Sequence, residues 1–178
     1  MLVKIARAGG NVSAGMIDDP FTPVADGEAL PDGAIIVSLK RFLEETDVLI
    51  ARAAALGVRL ETAESPEKLG VHLNRLAVIV LHVPYFRDGR AFSWARLLRT
   101  RLGYTNEIRV SGHFLKDQMA FYARVGVDAF DIAQNIPLSE IQAAFSEISN
   151  VYQASVDGRP TIRQLRTAPA RPATISAS

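Results

Sequence analysis

The pattern of apolar and polar positions divides the chain into short β-like runs separated by stretches of helical spacing. Val3–Ala6 alternates, Gly9-Gly10-Asn11 offers residues tolerant of positive φ, and Val12–Met16 returns, which predicts an N-terminal hairpin. Pro20, Pro23 and Pro31 then break Asp18–Asp32 into a loop. Ala34–Ser38 is a β-branched apolar run and reads as the first buried strand. Leu39, Phe42, Leu43, Leu49, Ile50, Ala53 and Ala54 recur at helical spacing, predicting a helix from about Leu39 to Leu56 ended by Gly57. Val58–Thr62 is the second strand, and Ser65-Pro66 starts a short helix with serine as cap and proline at its first position.

Leu76–Val83 is the third and strongest strand, apolar on both faces as a central parallel strand should be, with His82 read as a core histidine. A helix from about Ala91 to Leu102 closes at Gly103, and Glu107–Ser111 is the fourth strand. A helix over Leu115–Val125 capped by Gly126, a fifth strand Val127–Ile132 and an amphipathic helix Leu138–Ala154 follow, the last built on Leu138, Ile141, Phe145, Ile148 and Tyr152. The expected fold is α/β, with a mainly parallel sheet of about five strands joined by right-handed crossovers. Either a flavodoxin-like open sheet or part of a β/α barrel fits, since the pattern leaves strand order open. Residues 1–32 form the hairpin and loop, 33–156 the α/β domain, and 157–178 a basic tail whose Arg/Pro/Ala/Ser/Thr composition predicts disorder after Leu165.

Composition narrows the chemistry. The absence of cysteine excludes thiolate-ligated clusters, a thiol nucleophile and disulfides. His72, His82 and His113 stand singly, without metal-ligand spacing, so no metal site is expected. No apolar run reaches the roughly 20 residues of a membrane span, and the N-terminus lacks a secretory signal pattern; a cytoplasmic protein is expected. Charge is uneven: residues 71–124 hold nine Lys/Arg against three Asp/Glu, between flanks with an acidic excess. A basic middle fits an anion site, or simply solvated helix faces such as Arg96, Arg99 and Arg101. No aromatic ladder is interleaved with these arginines, which argues against a nucleic-acid surface.

In either topology the carboxyl ends of strands three to five share one rim, where α/β proteins place their sites. That rim carries Arg87, Asp88, Gly89 and Arg90; then Ser111, Gly112, His113, Lys116, Asp117 and Gln118; then Asp131, Gln134 and Asn135. Gly89 and Gly112 permit close backbone approach ahead of helix N-termini that attract negative charge. Arg87, Arg90 and Lys116 are candidate anion ligands, and Asp88, Asp117 and His113 candidate acid/base groups. Each has a bland reading too: Asp88-Gly89 as a turn, Ser93 as a helix cap, Asp117 as dipole complement, and Trp94 and Phe92 as packing. No nucleotide or flavin fingerprint occurs, so no cofactor is specified.

The same residues carry a family resemblance. The strings 86–99 (Phe-Arg-Asp-Gly-Arg-Ala-Phe-Ser-Trp-Ala-Arg-Leu-Leu-Arg), Leu102-Gly103-Tyr104 and Gly112-His113-Phe114-Leu115-Lys116-Asp117-Gln118 resemble the signature of the bacterial family DUF934. So do Arg124-Val125-Gly126-Val127-Asp128-Ala129-Phe130 and Tyr152-Gln153-Ala154-Ser155, over a span of about Pro31 to Arg166. Members are often encoded beside assimilatory sulfite reductase, and the resemblance implies a role in sulfite reduction. Two positions depart from the family's usual pattern: Val125, where a cysteine is frequent, and His113, where an acidic residue is frequent. A thiol-based role, or one needing a carboxylate at position 113, is thereby put in doubt.

The expectation is an accessory protein of assimilatory sulfur metabolism that binds a small oxyanion or docks on sulfite reductase through this rim. The alternatives are an enzyme acting on a small anionic metabolite, and an adaptor using the last amphipathic helix or the basic tail. An exposed apolar face on Leu138–Tyr152 would make a homodimer.

Overall fold

A computed structural model describes residues 1–8, 11–133, 136–147 and 151–167. Eight strands form one sheet: β1 (Leu2–Ala8), β2 (Asn11–Ile17), β3 (Thr22–Pro23), β4 (Ile35–Ser38), β5 (Leu56–Glu61), β6 (Val78–Val83), β7 (Glu107–Gly112) and β8 (Ala129–Asp131). Their order is β2-β1-β8-β7-β6-β5-β4-β3. From β3 to β8 neighbours in space are neighbours in sequence and all pairs are parallel; β1 joins β8 and β2 joins β1 antiparallel. The helices are α1 (Leu39–Glu44), α2 (Thr46–Ile50), α3 (Arg90–Thr100), α4 (Gln118–Arg124), α5 (Leu138–Ser146) and α6 (Ile162–Thr167), with a 3-10 segment over Pro66–Arg75.

Alternation sorts each strand onto two faces. Ile35, Val37, Val58, Leu60, Ile79, Leu81, Ile108, Val110 and Phe130 face the helices and share one core with Phe42, Leu98, Met119, Tyr122 and Ile141. Among the described residues the opposite face has no helix. It carries Arg59, Glu61, His82, Glu107, Arg109, Ser111 and Asp131, with a small apolar cluster of Ile36, Val78, Val80 and Phe21.

The helix-free face must be concave. Flat, the seven spacings between β2 and β3 would measure roughly 33 Å. The chain covers the gap from Ile17 to Thr22 in five residue steps, a reach of about 19 Å. The sheet therefore curls, and residues 18–21 cross its hollow as a strap. Asp19 on the strap accepts a 2.6 Å hydrogen bond from Arg109 in β7, and Phe21 lies beneath that guanidinium, 5.7 Å from its ring centroid.

The five expected strands are β4 to β8, and the N-terminal hairpin is present, its expected turn Gly9-Gly10 lying outside the described residues. The sheet itself corrects the expectation: it has eight strands and is mixed. The sequential order lacks the reversal that defines a flavodoxin-like sheet, leaving the curled, barrel-like alternative.

Several local expectations change too. The stretch expected as loop contains β3, and the single helix expected over Leu39–Leu56 is two short ones broken at Glu45. Gly57 does not end a helix but sits within β5, where a Cβ would lie 2.4 Å from a Val78 methyl. Ser93 lies inside α3 rather than capping it. The helix expected over Leu115–Val125 is confined to Gln118–Arg124. The last helix ends at Ser146; Ile148 lies outside the described residues, and Val151 beyond it is not helical. The apolar stripe of α5 does not form an open dimer face: Ile141 and Phe145 are buried in the core. In the tail segment that is described, Asp157 pairs with Arg124 at 3.1 Å and α6 lies beyond it.

Candidate functional site

The carboxyl ends of β5 to β8 do form one rim, and its sequence motif is largely tied to itself. Pro84–Gly89 turns back through a 2.9 Å bond from the Asp88 amide to the Tyr85 carbonyl. The Asp88 carboxylate then accepts from the Arg90 amide (3.2 Å), Arg90 Nε (3.0 Å) and Arg90 Nη2 (2.7 Å). It caps the start of α3, where the sequence suggests an exogenous anion. Arg90 Nη2 also reaches Thr62 Oγ1 at 3.2 Å, and Trp94 Nε1 donates to the Thr62 carbonyl at 3.1 Å, tying the loop to the end of β5. The Arg90 guanidinium first, and the Thr62 hydroxyl second, hold the Asp88 carboxyl well below the usual carboxylate range. Asp88 is thus a fixed anion rather than a proton carrier, and Arg90 is already paired.

Gln118 bridges two loops: its Nε2 donates to the Phe86 carbonyl at 2.9 Å, and its Oε1 accepts from the Leu115 amide at 3.0 Å. Gly112 has φ +95°, and a Cβ there would lie 2.3 Å from the Val83 carbonyl oxygen and 2.9 Å from His82 Cε1. Gly89 is different: its φ is negative and a Cβ would meet open space, so close approach is not its purpose. Arg87 is exposed, its guanidinium 5.4 Å over the Phe86 ring, and Asp117 is exposed on the lip.

These loops enclose a cleft of about 170 Å³. Its walls are Phe86, Phe114, Leu115, Met119, Ile132 and Ile136, with Gly112 and Ala133 beside them. Among its described lining residues the titratable side chains are His113 and Lys116. Lys116 Nζ is 3.6 Å from Glu140, too far for a direct hydrogen bond. Of the predicted rim residues, Gly112, His113 and Lys116 therefore meet at the cleft, Gln118 frames it, and Asp88, Gly89 and Arg90 stand aside. Gln134 and Asn135 lie outside the described residues. Among the described residues no group of three His, Asp or Glu side chains is placed to hold a metal, and no helix is long and apolar enough to cross a membrane.

A second cluster occupies the opposite rim. Arg99, at the end of α3, donates to Asp128, to the Gly126 carbonyl (3.1 Å) and to the Asn106 carbonyl (2.8 Å), and Arg7 of β1 reaches the same Asp128 at 2.9 Å. Gly126, at φ +102°, leaves room for Arg99, whose Cγ would lie 2.5 Å from a Cβ there. Arg124 donates to the Gln153 carbonyl at 2.6 Å, and the Ser155 hydroxyl to the Arg124 carbonyl at 2.8 Å. The arginines read as solvated or anion-binding thus include one, Arg99, that clasps chain segments together.

A family model described as a bacterial protein of unknown function, DUF934, matches residues 57–162. The chain belongs to this family. No curated protein matches it. The DUF934 match begins in β5 and ends at the start of α6, so it takes in both clusters apart from Arg7 and leaves the hairpin and strap outside. The resembling motif strings accordingly divide into a rim-building half and a clasp-building half.

One pair in this DUF934 chain escaped the sequence reading. His82 is not a core residue; it is half-buried on the helix-free face, its Nδ1 3.1 Å from Ser111 Oγ. Register places Glu61, His82, Ser111 and Asp131 in one row across four adjacent strands. Burial first, then Arg59, lowers the His82 pKa below its ordinary 6.5, with His113 adding to the effect and Glu61 opposing it. The signal was available in period-two alternation: His82 shares parity with Val78 and Val80, whose face the helices leave uncovered.

Proposed function

We propose that this protein is an accessory protein of assimilatory sulfur metabolism, acting at sulfite reduction by binding a small anion in the rim cleft. The observation that carries the reading is the cleft itself, a concave site built from signature loops, with Lys116 and His113 the titratable groups among its described lining residues. The sulfur context comes from the DUF934 resemblance and the company its genes keep. Direct redox catalysis has no support in the residues, since the chain has no cysteine to hold a cluster and no cofactor fingerprint. An enzyme working at this rim would draw on His113 or Asp117, because Asp88 is held by Arg90.

A second reading, docking on the reductase, is favoured by one observation: Tyr85, Phe86 and Leu115 stand exposed around the rim, at 73%, 44% and 46%. Large apolar side chains grouped in this way suit a protein contact.

The test is growth of a deletion strain on sulfate, sulfite, sulfide or cysteine as sole sulfur source. Failure on sulfate and sulfite with rescue by sulfide supports the proposal, and normal growth on all four overturns it. Complementation separates the two modes. Anion binding predicts that Lys116→Gln fails to restore growth and Tyr85→Ser restores it; docking predicts the reverse.

A further inference from the structure

The cleft's lining carries a statement about what enters it. A bare oxyanion such as sulfite is surrounded by tightly held water, and stripping that water against carbon walls is costly. Here six of the wall residues are Phe86, Phe114, Leu115, Met119, Ile132 and Ile136, while the titratable side chains among the described lining residues are Lys116 and His113. Lys116 is 38% exposed and, among the described residues, makes one long contact with Glu140, so its ammonium has donors to spare for an incoming acid group. The arginine best suited to gripping an oxyanion with two parallel bonds, Arg90, is already occupied by Asp88. A volume of about 170 Å³ matches roughly six water molecules, well below a drug-sized site.

We propose that the cleft binds a small amphipathic monoanion, a branched or aromatic apolar body bearing one carboxylate or sulfonate head that rests on Lys116 and His113. This deepens the anion-binding reading above by naming the ligand class, and rests on the same cleft. The carbon body buries itself among the wall residues and supplies most of the affinity. The head group stays at the lip, keeps part of its hydration, and accepts a charge-assisted hydrogen bond from Lys116. Carboxylate and sulfonate share that chemistry; the probes tell them apart.

The experiment titrates the full chain by two-dimensional NMR with 4-methylpentanoate, 3-methylbutane-1-sulfonate, acetate, sulfite and the neutral 4-methylpentan-1-ol. Saturable shifts are expected at Leu115, Lys116 and Ile136 with either branched anion, and none with acetate or sulfite up to about 10 mM. Preference between the two branched anions identifies the head group and upholds the class either way. Lys116→Gln should weaken the anions about tenfold and leave the alcohol unchanged. Leu115→Glu, an exposed position, should abolish anion binding without unfolding the protein. Equal binding of sulfite or acetate would overturn the proposal, as would binding indifferent to both variants or no saturable binding at all. The growth test is independent of this outcome: a cleft that binds the probes in a strain growing normally on every sulfur source removes the pathway assignment and keeps the ligand class.

Discussion

Arg109 and Asp19, ninety positions apart, meet at 2.6 Å inside the hollow of the sheet. Arg109 is 2% exposed and also donates to Glu107 Oε1 at 3.0 Å. This is the bond that holds the strap against β7. Removing one member of a buried pair leaves the rest uncompensated, so Arg109→Met should destabilise the fold by about 3 kcal/mol. Asp19→Ala should cost less, because Glu107 still faces the guanidinium. Chemical denaturation of both single variants and the double variant would isolate the coupling; additive effects would show that the strap is not held by this bond.

The two rim glycines should behave oppositely. Gly112→Ala combines a positive φ with a backbone collision at 2.3 Å, and is expected to cost about 3 kcal/mol. Gly89→Ala meets open space and should change stability by no more than about 0.5 kcal/mol. Thermal or urea melts decide it, and equal effects would mean that the close approach of Val83 and His82 does not demand a glycine at 112.

This contrast shows what the sequence made legible. Strands β4 to β8 were readable because fully apolar or alternating runs have few other fates, and the rim followed from their order along the chain. The roles of the rim residues were not readable. Arg90 looks like an anion ligand until its guanidinium is seen to close on Asp88, two positions earlier, with the Thr62 hydroxyl beside it. The break at Glu45 was hidden because Leu39–Leu56 keeps helical spacing even where the chain turns. Likewise β3, two residues long and containing a proline, carries no pattern of its own; its place comes from pairing with Ile35 and Ile36.

His82 gives the protein a pH dependence. Its folded pKa lies below the ordinary 6.5, so the unfolded chain takes up the proton more readily. The sign follows: stability is fully present above about pH 6.5 and declines as pH falls through the folded value. Urea denaturation at pH 8 and pH 5.5 should show a smaller drop for His82→Gln than for the wild-type chain. Asp88, held low by Arg90, acts in a separate window: its stabilisation is present above about pH 4 and is lost below it, so Asp88→Asn should flatten that limb. An unchanged profile in either variant would remove that residue as the source.

Gln142 guards the open edge of the sheet. From α5 its Oε1 accepts from the Ala14 amide at 2.7 Å and its Nε2 donates to the Val12 carbonyl at 2.8 Å, standing in for a neighbouring strand along β2. Gln142→Val frees both groups on an edge strand, and self-association at rising concentration is expected. Sedimentation velocity measures this directly; a variant that sediments like the wild-type chain would show that β2 needs no guard.

The sequential order of strands sets a timetable for the nascent chain. From β3 onward each parallel strand finds its neighbour one crossover later, so the sheet can grow as it is made. The hairpin is the exception. Leu2 pairs with Asp131 and Lys4 with Ala129, so β1, which has β2 on one side at once, waits through more than a hundred residues for its second neighbour. Until β8 emerges, Val3 and Ile5 lack the neighbours that bury them in the finished molecule. The β1–β2 hairpin is therefore among the last parts of the sheet to be docked, and until β8 forms, the inner edge of β1 stays unpaired.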